Sequence, residues 1–332
     1  MIEWPVKEHG KLTLIGATDL HWSPRNLGKW IYEESYQDLM DKCLDSIIKL
    51  GKRINADALM IAGDIFHSSA AQKNPIHFVN HTMMKMEEVH KKGDMDVMVV
   101  AGNHDQKRGS NEDLLDTPLG TLMMSGNVVL LDDNPIRYYI GDSYNVTVAG
   151  RSFHHAEANW FANYTKERSS HFDILLGHFL FGPSTGVMHN ENVYGPDYLG
   201  NGDFDMILMG HRHENQGCQI VDDKYYLAPG AVTRTGLYSH DLTRVPTVFV
   251  IEITAEEVKV NQVALDWLPP IDQIFNLTEL EKRKRDKVEL EQFIENLGVA
   301  NISLNYNLDE MLKSMGVGPE VLTRCLAYLD DE

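Results

Sequence analysis

The sequence predicts an α/β sandwich. Short apolar runs bounded by Gly, Asp or His recur from residue 11 to residue 230. Amphipathic helical patterns separate the first three of them, and strand–helix alternation of this kind builds layered α/β folds. Five of the runs also end in Asp, Asn or His, which is where an open sheet brings ligand groups together.

The elements follow in order. KLTLIGATD (11–19) has no charge between Lys11 and Asp19 and reads as a strand buried on both faces. A helix follows, with Tyr36, Met40, Cys43, Leu44, Ile47 and Ile48 on one face. ALMIAGD (58–64) is the next strand. Ile76, Val79, Met83 and Met86 then share a second helical face, with Asn74 as the expected cap and Pro75 in the first turn. MDVMVVAGNHD (95–105), VVLLDD (128–133), NVTVAG (145–150), FDILLGH (172–178), FDMILMGH (204–211) and YYLAPG (225–230) continue the strands. The Met positions read as core filler.

After about residue 240 the texture changes. VPTVFVIEITAEEVKVNQVAL (245–265) reads as two strands around a tight turn, expected as a small capping region. DWLPPIDQ (266–273) is a Pro-rich link, and residues 276–332 carry helical patterns. The expected domains are therefore 1–240, a β cap over 241–270, and a linker with helices over 271–332.

Composition sets limits. The chain has 332 residues, 43% apolar and 24% charged, as a globular protein does. Its apolar runs are only strand-sized, so no transmembrane helix is expected. The start, MIEWPVKEHG, lacks the basic-then-apolar pattern of a signal peptide, and a cytoplasmic location is expected. Cys43, Cys218 and Cys325 are far apart and form no CxxC pair, which excludes a disulfide framework or zinc ribbon. The net charge of −19 argues against gripping duplex DNA with the whole surface.

The strand ends carry the functional reading. Asp19 and His21 end the first run, Asp64 the second, Asn103 and His104 the third, His178 the run LLGH, and His211 and His213 the run MGHRH. His67 lies just beyond Asp64. Hard oxygen and imidazole donors in this number suit two divalent metals sharing a carboxylate. With no thiolate among them, a structural zinc knot is not expected.

DxH, GDxxH, GNHD, GH and GHxH in this order resemble the calcineurin-like metallophosphoesterases, over roughly residues 11 to 235. The resemblance implies a four-layer metallophosphoesterase β-sandwich flanked by helices. Within the superfamily the chain most resembles the SbcD-type nuclease subunit of the double-strand-break repair nuclease–ATPase complex. AGDIFHSS carries His67 three residues after Asp64, as those nucleases do, and the GDxxDRG and GNHE of the protein phosphatases are lacking. LAPGAVTRTG (227–236) resembles the segment after the last metal motif, with Ala231 where those nucleases have Ser.

The resemblance implies roles. Asp19, His21 and His213 would hold one metal, Asn103, His178 and His211 the other, and Asp64 would bridge. The pair would activate a water against a DNA phosphodiester, with manganese preferred and magnesium permitted. His104 would stabilise the transition state or protonate the leaving oxygen, and His67 would position the phosphate or His104. Asp105 would only orient neighbours or cap a turn. The helical segment 276–332 would bind the coiled-coil base of an SMC-like ABC ATPase, and a homodimer is expected.

Weaker features stay open. Trp22, Arg25, Lys29 and Trp30 beside the first ligands form either a lip for DNA or a surface loop with anchoring Trp residues. Arg234 is a candidate substrate contact. His154 and His155 read either as supports behind the ligands or as polar surface, and His171, His189 and His240 as structural. EKRKRDK (281–287) reads as a solvated helix face before a DNA or partner contact. The competing functional reading is a phosphatase or cyclic-nucleotide phosphodiesterase on the same fold.

Overall fold

The structure, a computed structural model, describes residues 2–5, 10–24, 36–132, 134–141, 144–154, 157–167, 169–188, 191–234, 244–265 and a few residues between 272 and 289. The chain runs β1 (Ile2–Pro5), β2 (Leu12–Ala17), α1 (Tyr36–Ile54), β3 (Ala58–Ala62), α2 (Ile76–Gly93), β4 (Asp96–Val100), α3 (Pro118–Met124), β5 (Val129–Leu130), β6 (Ile136–Ile140) and β7 (Tyr144–Arg151). It continues through α4 (Glu157–Ala162), β8 (Phe172–His178), β9 (Gly186–Met188), β10 (Glu191–Val193), α5 (Pro196–Leu199), β11 (Met206–Gly210), β12 (Gly217–Val221), β13 (Lys224–Ala228), β14 (Thr247–Ile253) and β15 (Val258–Ala264).

Two mixed sheets form the core. One has the order β1-β6-β7-β8-β11-β13-β12, the other β15-β14-β2-β3-β4-β5. Side chains alternate across a strand. Leu12, Leu14, Met60, Met98 and Val100 of the second sheet therefore meet Val146, Val148, Ile174, Leu176, Met206 and Leu208 of the first, all fully buried. Gly16 leaves room for Leu208, whose side-chain carbons lie 3.1 Å from where a Cβ would stand. The opposite face of the seven-stranded sheet packs Leu175, Ile207 and Met209 against Phe161, Phe179 and Phe204. Each such apolar side chain contributes about 1.5–3 kcal/mol on burial.

On α1, Met40, Cys43, Leu44, Ile47 and Ile48 are buried as the periodicity predicts. On α2 the buried set is Phe78, Val79, Thr82, Met86 and Val89, whereas Ile76 is 78% exposed. Pro75 rather than Asn74 occupies the N-cap. The Asn74 amide instead donates to the Ser68 and Ala70 carbonyls and braces the preceding loop.

The expected β cap is instead part of the sheet. β14 lies antiparallel to β2, Phe249 opposite Gly16 and Ile253 opposite Leu12, and β15 forms the edge. Val248, Phe249, Val250 and Ile251 are buried on both faces of β14, which a small exposed cap does not provide.

The chain divides into two compact units, Met1–Asn276 and Leu277–Glu332. In the second, the described residues of 277–289 are helical. Residues 290–332, most of the expected partner-binding segment, lie outside the described residues. Among the described residues no helix is long and apolar enough to cross a membrane.

Candidate metal centre

The carboxyl ends of β2, β3, β4, β8 and β11 open on one edge, and their loops continue the pairing. Asp19 N–H donates to Gly63 O, His21 N–H to Asp64 O and Trp22 N–H to Ile65 O, at 3.1, 2.9 and 2.8 Å. Asp19, His21, Asp64 and His211 adopt positive φ, at 52°, 48°, 50° and 85°. Non-glycine residues avoid this region, and such strain persists only where its surroundings enforce it.

The recurring glycines have a steric cause. A Cβ on Gly102 would stand 2.0 Å from Asp64 Oδ1. Gly63 has φ +88°, and a Cβ there would meet His178 Nδ1 at 2.2 Å. One strand's glycine thus makes space for the next strand's ligand, which explains the GD and GN pairs.

Seven side chains converge. His21 Nε2 lies 2.9 Å from His213 Nε2, 3.5 Å from Asp64 Oδ2 and 3.8 Å from Asp19 Oδ1. His213 Nε2 is also 3.8 Å from Asp19 Oδ1. On the other side Asn103 Oδ1 lies 3.1 Å from His178 Nε2 and 3.0 Å from His211 Nδ1. Asp64 Oδ2 faces His178 Nε2 at 3.3 Å. Asp64 therefore lies between an Asp19–His21–His213 group and an Asn103–His178–His211 group.

The donor chemistry fits metal ions. His178 Nδ1 lies 2.8 Å from Ala62 O. A carbonyl only accepts, so Nδ1 carries the proton and Nε2 is a lone pair aimed at two oxygens. Lone pairs facing lone pairs need a cation between them. Without one, a second proton takes that place. Burial alone would lower the His178 pKa, but the Asp64 and Asp19 carboxylates outweigh it and raise it to about 10. Burial works against ionisation of Asp64 as well, yet His178, His21 and His104 hold its carboxyl well below the usual range. Burial and the neighbouring Asp64 push Asp19 up to about 6. Burial drives His21 far below the ordinary imidazole value.

Supports surround the ligands. Thr18 Oγ donates to Asp19 Oδ2 at 2.6 Å, and His104 N–H to Asp64 Oδ1 at 2.9 Å. Asp105 accepts from the backbone N–H groups of Ile65, Phe66 and Gly102 at 3.1, 2.9 and 3.0 Å. It knits the β3 and β4 loops together, in keeping with its expected orienting part. His104 stands against His21 with ring centroids 4.8 Å apart. Its Nδ1 donates to the His67 carbonyl at 2.7 Å, so Nε2 is the ring nitrogen not used in that bond. Burial and His104 lower the His67 imidazole to about 4, so at neutral pH it is an uncharged ring.

A sequence model of the calcineurin-like phosphoesterases matches residues 12–215, from the first residue of β2 to just past His213. The chain belongs to this family. The Asp and His clusters fit the divalent metals of that family. A Staphylococcus aureus structure assigned as a 5′-nucleotidase shares the fold at TM-score 0.50 and 15% identity, covering 83% of this chain and 58% of its own. The metallophosphoesterase chain thus spans little more than half the length of that protein. A dimetal phosphatase from Danio rerio matches at TM-score 0.50 and 10% identity, over 76% of this chain and 96% of its own. No curated protein matches the chain.

Other expected contacts fall elsewhere in this metallophosphoesterase. Trp22 is fully buried, in a bridge with Phe66, and has no face to offer a base. Arg25 and Lys29 lie outside the described residues, as do Trp30, His155, His189 and His240. Arg234 turns inward and donates to Arg244 O at 2.8 Å, with its Nε and Nη1 shielded from solvent. Ala231 is buried, its N–H donating to His213 O at 3.1 Å, so this position supports a ligand from behind. His154 is exposed, and His171 Nδ1 meets Asn145 N–H before β8 begins.

Three contributors went unread in the sequence. Thr18 is adjacent to a ligand and was legible as a polar residue in an apolar run. Phe153 sits beside His211 and His178, centroids 5.7 and 6.3 Å away, and Glu191 touches His211. Neither has a local signal, because topology alone brings it to the site.

Proposed function

We propose that this metallophosphoesterase is a DNA phosphodiesterase, an exonuclease and endonuclease of double-strand-break repair and recombination, acting with an SMC-like ABC ATPase. The observation that carries the reading is the His67–His104 arrangement beside the seven ligands, together with the nuclease-like sequence AGDIFHSS. Asp19, His21 and His213 would hold one metal and Asn103, His178 and His211 the other, with Asp64 shared. Bound there, two divalent ions supply charge for the phosphoryl oxygens and activation of water. Manganese is the proposed metal, since oxygen and imidazole ligands without thiolate accept it.

The chain's own groups do the rest. His67 O fixes the His104 tautomer, so that Nε2 points to the reacting phosphate. In the imidazolium form, Nε2–H passes its proton to the departing oxygen as the P–O bond breaks. His67, uncharged at neutral pH, positions rather than donates. Residues 276–332 are proposed to bind the ATPase, which would share the grip on DNA that the chain's net charge of −19 disfavours. Deleting them should abolish ATPase binding; unchanged binding would refute that part. A homodimer is the proposed assembly.

The acidic charge supports a second reading, a phosphatase or small-nucleotide phosphodiesterase. End-labelled linear duplex and single-stranded DNA should be tested with manganese, magnesium or EDTA, using wild type beside His104→Ala. Manganese-dependent degradation that the variant lacks supports the nuclease. Inert DNA with rapid turnover of a nucleotide supports the second reading.

A further inference from the structure

Between His178 and β11 the chain leaves the sheet and forms the two-stranded hairpin β9–β10, with Glu191 opposite Met188. The hairpin is placed by built contacts. Phe181 bridges to Tyr194. Asp197 Oδ1 accepts from Thr185 N–H at 2.9 Å and from its hydroxyl at 3.0 Å, and Gly195 N–H donates to Thr185 Oγ1 at 3.1 Å. From this arm Glu191 Oε2 reaches His211 Nε2 at 3.1 Å.

The two nitrogens of His211 thus face different partners. Nδ1 looks into the ligand group, 3.0 Å from Asn103 Oδ1, and Nε2 looks outward at a carboxylate. A ligating nitrogen must present a lone pair, so the proton resides on the other nitrogen, and a carboxylate there fixes the tautomer and raises ligand basicity. His178 uses a backbone carbonyl, Ala62 O, for the same purpose. His211 uses an acidic side chain from outside both large sheets.

We propose that Glu191 is a positioning residue for the Asn103–His178–His211 metal, holding His211 in the Nδ1-ligating tautomer through an Nε2–H to carboxylate bond. The inference rests on the two-metal reading above and deepens it. It also ties the metal to the hairpin, because Glu191 stands on β10 and not on either large sheet.

Manganese titration of the metal-free full-length protein, followed by the electron paramagnetic resonance signal of the free ion, tests the proposal. Wild type, Glu191→Ala and Glu191→Gln would be compared, each with its metal-free unfolding temperature. Glu191→Ala should weaken one of two manganese sites by about 10–100-fold and leave the other, with the unfolding temperature unchanged. Glu191→Gln keeps an acceptor and should recover much of the affinity. Two sites of unaltered affinity in Glu191→Ala would overturn the inference and leave the two-metal reading standing. Fewer than two sites in wild type would overturn both.

Discussion

The two ends of the sandwich both bury carboxylates, with opposite surroundings. Where β8 and β11 begin, Asp173 accepts from the Ser170 hydroxyl and from Tyr164 OH at 2.9 Å. Asp205 Oδ2 accepts from Lys166 Nζ and Asp173 N–H at 2.5 and 2.6 Å, and beside β2 Asp57 takes the Thr13 N–H at 2.7 Å. Protein donors answer these acids. Where the same strands end, Asp64 Oδ2 and Asn103 Oδ1 face imidazole nitrogens, and His21 Nε2 faces His213 Nε2. Buried acid alone is therefore no mark of a site. The mark is that Asp64 Oδ2 and Asn103 Oδ1 face the Nε2 lone pair of His178, an opposition that a cation resolves, because uncompensated buried polar groups are costly.

The sharpest way to break this comparison is Asp64→Asn. Metal analysis should show occupancy lost at both sites, and turnover should fall by more than the about 10–100-fold typical of a lost outer partner. Retention of both metals would show that Asp64 does not bridge. Next comes His104→Ala. Steady-state kinetics should show a loss of about 10²–10⁴-fold with metal content unchanged, and full activity would remove its assigned role.

Asp173→Ala probes the other end. Thermal or denaturant unfolding should show about 1–3 kcal/mol lost, because Tyr164 and Ser170 lose their buried acceptor. Metal affinity should stay as in wild type; a change there would mean the two ends are coupled. The last test is a pH dependence of the metal-free protein. The His178 pKa is raised from 6.5 to about 10 when folded, so its stabilisation is complete below about 6.5 and is lost as pH rises toward 10. Calorimetry with EDTA should show the unfolding temperature falling from pH 7 to 10, and saturating manganese should flatten the slope. A metal-free temperature that rises over that window would contradict the proton-for-metal exchange.

Much of this was readable from the chain, for physical reasons. Strands buried on both faces read as apolar runs, so LLGH and AGD announce both the strand and its polar end. The gathering of seven candidate ligands follows from where parallel strands finish. β14 misled because its partner, β2, is more than 200 residues away, and local pattern reports burial without naming the neighbour. Trp22 stayed open because an aromatic next to His21 fits a lip and a core plug equally well in sequence, and the structure makes it a core plug. Ile76 misled because helical phase was set from the wrong end of α2, where the buried stripe runs through Phe78 and Thr82. Glu191 was unreadable, since a two-stranded arm brings it to His211.

The central claim is that the oxygens and imidazole lone pairs facing one another at the strand ends are a two-metal centre. Manganese bound per chain, measured by metal analysis after dialysis against excess ion, tests it most directly. The account predicts two per chain in wild type and a collapse of both in Asp64→Asn. A wild type that binds less than one, or an Asp64→Asn protein that still binds two, would contradict it.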